Sequence, residues 1–315
     1  VSLKTKNLIW NIVLVVFLVT LGASLYGASK KVDYIWRWER LPQYIIYNDL
    51  IEIKAEADGD VAFDGKVMTF TPDNGDDPVV ITEADEYVAA DGDLIFEGDV
   101  LASNKVTKMG PMLKGLFVTL YVSFFAIILA IIIGVLTGLA RVSSNPFFKK
   151  LSILYIELIR GTPLLVQIFI FYFFIGTVLD LNRMTAGVLA LAVFTGAYIA
   201  EIVRAGIQSV HRGQMEAARS LGMSYAQAMK MVILPQAFKR TLPPMAGQFI
   251  SLIKDSSLVS VISITDLTKS GREVVASTFS PFEVWFTVAL MYLILTSGLS
   301  YLVQVLEKRM SAQDR

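Results

Sequence analysis

Cysteine is absent from this chain of 315 residues, which removes disulfides, thiol nucleophiles and cysteine-held metals from consideration. A single histidine, His211, excludes a histidine metal cluster within the chain. Net charge is lacking too: 28 Lys and Arg balance 28 Asp and Glu, so nothing in the overall charge points to nucleic acid. No Gly-x-x-x-x-Gly-Lys-Ser/Thr phosphate loop occurs, and the run from Lys269 to Arg272 is only superficially like one. No nucleophile–base pair or metal constellation nominates a catalytic residue. What the chain does have is apolar mass: 54% hydrophobic residues and a mean hydropathy of +0.57, too greasy for a soluble domain of this size.

Apolar runs give six candidate membrane spans, at roughly 8–26, 113–139, 153–178, 186–203, 243–262 and 282–306. The expected fold is therefore all-α and integral to the membrane, with six transmembrane helices. Gly27, Ala28 and Ser29 would suit a signal cleavage site, but the first run is read as a retained anchor over residues 1–30. Basic residues set the orientation. Arg141, Lys149 and Lys150 follow the second run, and Arg204, Arg212, Arg219, Lys230, Lys239 and Arg240 fill the loop after the fourth. Both loops and both termini are expected in the cytoplasm, although Lys30, Lys31, Arg37 and Arg40 pull the other way at the first run.

Residues 31–108 differ in kind. Tyr34, Trp36, Trp38, Tyr44 and Tyr47 suggest an interfacial aromatic belt. Residues 48–104 are then acidic, alternating and rich in turn pairs, Asp58-Gly59, Asp64-Gly65, Asn74-Gly75 and Asp91-Gly92, which predicts a small β-rich extracytoplasmic insertion of hairpins. Calcium is the competing reading of the Asp-Gly-Asp groups, but no bidentate glutamate closes any such loop.

Within 109–315 two constellations carry chemistry. The first is a polar helical elbow over 213–234. Gly213 is expected as N-cap with Glu216 at the third position, Ala217 and Ala218 give a low-relief face, Leu221 offers an apolar contact, and Gly222 supplies the left-handed residue that ends the helix. Ser224 to Gln227 form a capping box that starts a second helix, expected to run until Pro235. In the second constellation Gln248, Ser251 and Asp255 recur at helical spacing, so one face of the fifth run is polar. A carboxylate deep in a span costs roughly 2.5–3.5 kcal/mol on insertion scales. Asp255 therefore needs a cationic partner or water, and Lys254 or another helix could supply the cation. Pro243, Pro244 and Gly247 are expected to break that run at its cytoplasmic end. Glu157 with Arg160, and Glu201 with Arg204, read as ion pairs one helical turn apart.

From about Gly110 to Met310 the chain resembles permease subunits of binding-protein-dependent ABC importers of the polar amino-acid uptake class. Five motifs in order carry the likeness: Tyr155 to Gln167 (YIELIRGTPLLVQ), Ala197 to Glu201 (AYIAE), Gly213 to Gly222 (GQMEAARSLG), Ile233 to Ala237 (ILPQA) and Lys254 to Leu258 (KDSSL). The resemblance implies a type I importer permease core, with the elbow as the coupling element that docks on a separate ATPase through Glu216, Ala217, Ala218, Arg219, Leu221 and Gly222. It implies that Gln248 and Asp255 line the substrate site, with Ser251 and Gln167 as further wall residues. His211 stands where relatives often have proline. No cofactor is then expected on this chain, with ATP and Mg on the partner. The implied partners are ABC ATPase subunits, a second permease copy or a paralogue, a periplasmic amino-acid-binding protein, the amino acid and the bilayer of a bacterial inner membrane. Gln248, a neutral amide, points toward a neutral or acidic polar amino acid such as glutamine or glutamate. The competing reading is a membrane-anchored sensor whose outer domain binds a ligand.

Overall fold

The computed structural model describes residues 3–31, 33–65 and 67–312. The chain divides into two compact units, Val1–Leu41 and Pro42–Arg315. In the first, helix α1 (Leu3–Lys31) is apolar from Trp10 to Ala28 and exposes every side chain from Trp10 to Ser24, as a helix facing lipid would. A short 3₁₀ turn follows at Trp38–Arg40, and the rings of Trp36 and Trp38 stack at 5.7 Å.

The second unit opens with the one-turn α2 (Pro42–Ile45) and seven strands: β1 (Ile46–Lys54), β2 (Gly59–Asp64), β3 (Val67–Pro72), β4 (Val79–Ile81), β5 (Glu86–Tyr87), β6 (Leu94–Ile95) and β7 (Val100–Met109). They form one sheet in the order β1-β7-β5 and a second in the order β4-β3-β2-β6, closed over Val61, Met68, Phe70 and Leu101. β1 and β7 run antiparallel from Ile46↔Met109 onward, so the chain enters and leaves side by side. The Gly110 N–H then donates to Ile45 O at 2.7 Å.

Residues 48–104 hold 16 of the chain's 28 acidic residues, and hydrogen bonding within the β unit accounts for at least five of the aspartates. Carboxylates of Asp58, Asp85, Asp91, Asp93 and Asp99 accept backbone N–H bonds from Glu97, Lys105, Phe63, Ala90 and Phe96, at 2.7–3.0 Å. Gly65, Gly75 and Gly92 adopt positive φ as turn residues, whereas Gly59 does not. Gly59 begins β2, where a Cβ would meet Thr71 O at 2.2 Å, so close approach rather than a turn explains it.

The helical part is built around α6 (Arg183–Ser209), whose most apolar stretch is 67% buried, against 28% for α3 (Pro111–Arg141) and 11% for α11 (Pro281–Ala312). Small residues allow α3 to lie against it: a Cβ on Gly134 would sit 2.5 Å from Ile199, and one on Gly138 2.7 Å from Val203. Asn182 caps α6 by accepting the Thr185 N–H at 2.9 Å, and Pro111 sits in the first turn of α3, where no donor is missed.

Four helices among the described residues are long and apolar enough to cross a membrane: residues 10–28 of α1, then α3, α6 and residues 281–305 of α11. The third expected span is not one helix. It is α4 (Pro146–Arg160) and a following pair, α5 (Leu164–Phe169) and a π-helical stretch Ile170–Gly176, bent by 103° at Gly161–Pro163. Counted as one broken span, the pair raises the total to five. The fifth expected run is not among the helices of spanning composition, because its α-helical part falls within α9 (Leu234–Asp255), which carries Lys239 and Arg240 before the run and Lys254 and Asp255 within it. It is also not broken where expected. α9 runs unbroken through Pro243 and Pro244 and passes into a 3₁₀ stretch, Ser256–Ile262. Helix α10 (Leu267–Thr278), capped by Asp266, returns against α3.

Candidate functional site

The elbow between α6 and α9 consists of α7 (Arg212–Ser220), α8 (Tyr225–Ala228) and a π turn, Met229–Ile233. Its start differs from expectation. His211, not Gly213, is the N-cap: the imidazole Nδ1 accepts the Gly213 N–H at 3.1 Å, which moves the helix start two residues back and Glu216 out of the first turn. A proline there could cap nothing, and a histidine cap is too rare to be expected from sequence.

The end agrees with the sequence. Gly222 has φ +84°, and the Met223 N–H reaches Ala218 O at 3.2 Å, closing the last turn through a left-handed residue. Arg219 fixes the corner by donating to Met223 O at 2.9 Å. Ser224 and Gln227 form the reciprocal capping box, at 2.8 and 3.2 Å. Pro235 does not stop the path. The π turn just before it loosens the backbone where the proline offers no N–H, and α9 continues.

The faces of α7 divide cleanly. Glu216, Ala217, Arg219 and Gly222 are exposed and Leu221 is 82% exposed, whereas Ala218 is buried at 4% against the chain itself. Ala218 therefore belongs to the elbow's own packing and not to its outer face. The result is a short helix with satisfied ends and a bare leucine at its tip.

Gln248, Ser251 and Asp255 lie along one stripe of α9 over about 10 Å, seven residues at the helical rise. All three are half-buried, and no hydrogen bond of their side chains is found among the described residues. Leu252 and Ile253, between them in sequence, are buried in the core. The stripe is thus a set of polar groups held at fixed spacing with their bonding capacity open.

Gln167 is not part of that stripe. It is buried at 4%, and its amide nitrogen donates to Ile159 O at 2.7 Å and to Thr162 Oγ1 at 2.8 Å, stapling the bend at Gly161–Pro163 from within. Its role in this geometry is to hold α4 and α5 at their angle.

Of the two ion pairs read from sequence, Glu201 with Arg204 forms, and Arg160 joins it in place of pairing with Glu157. Glu201 meets Arg204 at 2.8 Å, Arg141 of α3 at 3.6 Å and Arg160 of α4 at 4.0 Å. Arg160 also lies over the Tyr198 ring, 5.1 Å from its centroid, and Glu157 takes no part in an ion pair among the described residues. Helical spacing reveals the Arg204 contact; the other two need three helices to converge, which no local pattern encodes.

Residues 107–312 match the family described as binding-protein-dependent transport system inner membrane component. A probable glutamine ABC transporter permease protein, GlnM, of Bacillus subtilis (strain 168) is 50% identical over 157 residues, covering 50% of this chain and 73% of that one. The glutamine transport system permease protein GlnP of Escherichia coli (strain K12) is 39% identical over 202 residues, 63% of this chain and 92% of its own. Among solved structures, a crystal structure of an amino acid ABC transporter with histidines matches at TM-score 0.59 and 42% identity, covering 63% of this chain and 94% of that one. The chain belongs to the binding-protein-dependent transport system inner membrane components, and it is a multi-pass inner-membrane protein.

Proposed function

We propose that this member of the permease family is the membrane-spanning subunit of an ATP-driven importer of polar amino acids, and that glutamine is its cargo. Two relatives named for glutamine, one of them 50% identical, support the substrate, and the neutral amide of Gln248 beside Asp255 suits an amino acid with an uncharged polar side chain. The chain itself carries out no catalysis; ATP and Mg²⁺ belong to a partner ATPase. A second permease copy or a paralogue completes the pathway, and a soluble amino-acid-binding protein delivers the cargo.

The elbow carries this reading. Its outer face, Glu216, Ala217, Arg219, Leu221 and Gly222, is where the ATPase docks, and movement there reaches α9 directly because α8, the π turn and α9 are one continuous helical path. Gln248, Ser251 and Asp255 bind the cargo, with Asp255 meeting its ammonium group. In the assembly the path over α9 and its 3₁₀ continuation crosses the membrane despite its polar stripe, as does the bent α4–α5 pair, which gives six crossings with both termini and the elbow in the cytoplasm and the β unit outside.

Reconstitution of the chain with its ATPase and binding protein in vesicles tests the proposal: ATP-dependent uptake of glutamine is expected, and none without the ATPase. Deletion of residues 48–104 separates this reading from a sensor. A permease retains uptake that Asp255→Asn abolishes, whereas a sensor loses its response on the deletion and ignores the substitution.

A further inference from the structure

Beside the elbow, on the side away from Leu221, lies a cavity of about 670 Å³ whose polar wall is cationic. Arg141 ends α3, Lys149 begins α4, Arg204 comes from the last turns of α6, and His211 and Arg212 open α7. No Asp or Glu lines it. Glu201 pairs with Arg204 and Arg141 and also meets Arg160, so one carboxylate faces three arginines and leaves the wall with net positive charge.

Among these cations Arg204, which also donates to Gln208 at 2.5 Å, and Arg141 are engaged by Glu201, whereas Lys149 and Arg212 are not. Arg240 donates to Ser209 O and Arg219 to Met223 O. The side chains of Lys149 and Arg212 have no ion pair or hydrogen bond among the described residues, and Arg141 Nε, 3.6 Å from Glu201, is buried without a hydrogen-bond partner. His211 adds a donor, because an Nδ1 that accepts the Gly213 N–H leaves the proton on Nε2. Around α7, Arg212 shares a stripe with Glu216 and Arg219, four and seven residues on, whereas Leu221, nine residues on, points about 180° away, so the cavity lies opposite the bare leucine and borders the charged part of the outer face.

Position identifies the anion's source. The cavity sits where α3 and α6, both apolar enough to span, come to an end, which is the depth of lipid headgroups. Next to it in the chain, Leu136, Ala140, Phe148 and Leu151 line an apolar groove of about 310 Å³ between α3 and α4. We infer that the cavity seats the phosphate of an anionic phospholipid, with an acyl chain along the groove. Placing that lipid in the inner leaflet rests on the orientation proposed above. Guanidinium forks and an ammonium match phosphate oxygens, and clustered Lys and Arg at a bilayer surface favour anionic headgroups. The lipid would tie the ends of α3, α4 and α6 to the root of the elbow and so make its stiffness sensitive to membrane composition.

The test uses the complex with its ATPase in nanodiscs of equal parts phosphatidylglycerol and phosphatidylcholine, with lipid retained after detergent extraction measured by mass spectrometry. Wild type should hold phosphatidylglycerol in preference to phosphatidylcholine, and the double variant K149Q/R212Q should hold it about 30-fold more weakly, from two lost surface charges. K150Q, which removes a neighbouring charge outside the cavity, should behave as wild type. Equal retention of both lipids, or an equal loss in K150Q, overturns the site. Displacement by inorganic phosphate overturns the lipid as its occupant, and loss of the ATPase from K149Q/R212Q gives these residues to the docking face instead. Retention is measured without transport, so a complex that holds phosphatidylglycerol but imports nothing fails only as a permease.

Discussion

The elbow and the polar stripe of α9 belong to one helical path, yet they are finished in opposite ways. In the elbow the polar groups are largely satisfied within the chain: His211 caps its start, Gly222 and Arg219 close its corner, and Ser224 with Gln227 caps the next turn. Among its apolar side chains it leaves Leu221 almost wholly bare. The stripe is the reverse, with its apolar neighbours packed away and the side chains of Gln248, Ser251 and Asp255 left without hydrogen bonds. On the proposed reading, the bare leucine awaits a protein, and the unbonded stripe awaits water or a small polar solute.

That contrast breaks most visibly at Asp255. Removing one member of a desolvated charge pair costs about 2–5 kcal/mol, so Asp255→Ala should lower glutamine uptake at least 30-fold while the ATPase still co-purifies. Unchanged uptake kinetics would make the stripe structural. Glu201→Gln probes the scaffold beneath both regions. With three arginines left facing one another at a site only about one-fifth exposed, the protein should lose about 2 kcal/mol of stability, a figure already reduced for solvent screening and read from thermal unfolding in detergent. A melting temperature equal to wild type would show that the network contributes nothing. At the elbow, Leu221→Ala should weaken ATPase association about tenfold, roughly 1.4 kcal/mol, without changing the stability of the permease alone, and binding at full strength would remove Leu221 from the interface.

The smallest effect belongs to the β unit. A hydrogen bond from Lys108 holds the Asp49 carboxyl below its ordinary range, and the 2.7 Å pair is exposed. Since the folded pKa lies below the unfolded one, any stabilisation is present above the unfolded value and fades as the pH falls through the folded one. Asp49→Asn should slightly flatten acid unfolding of this unit and leave uptake at neutral pH untouched; altered neutral-pH uptake would show that the unit takes part in transport.

What could be read from the sequence was what local chemistry determines. The capping box at Ser224, the left-handed Gly222 and three of the four proposed turn glycines are decided by residues a few positions apart, and the structure has them. The misses share a cause in through-space packing. Pro163 with Gly161 bends the third apolar run by 103° because Gln167, held in the core, fastens the corner, whereas Pro243 and Pro244 look like stronger breakers and leave α9 intact. Arg141 and Arg160 reach Glu201 only because α3, α4 and α6 converge. Ala218 reads as an interface residue in any helical pattern, and only tertiary burial reveals that it faces home.

The strand that leaves for the β unit and the strand that returns from it are hydrogen-bonded neighbours, joined at their root by Gly110 and Ile45. Sixty-odd residues are thus attached to the helices through a stem two strands wide, like a pendant on a double cord. Such an attachment lets the pendant be lengthened, recharged or exchanged for another while the transport machinery keeps its geometry, which makes Ile45 and Gly110 the natural junctions for grafting a foreign domain onto this face.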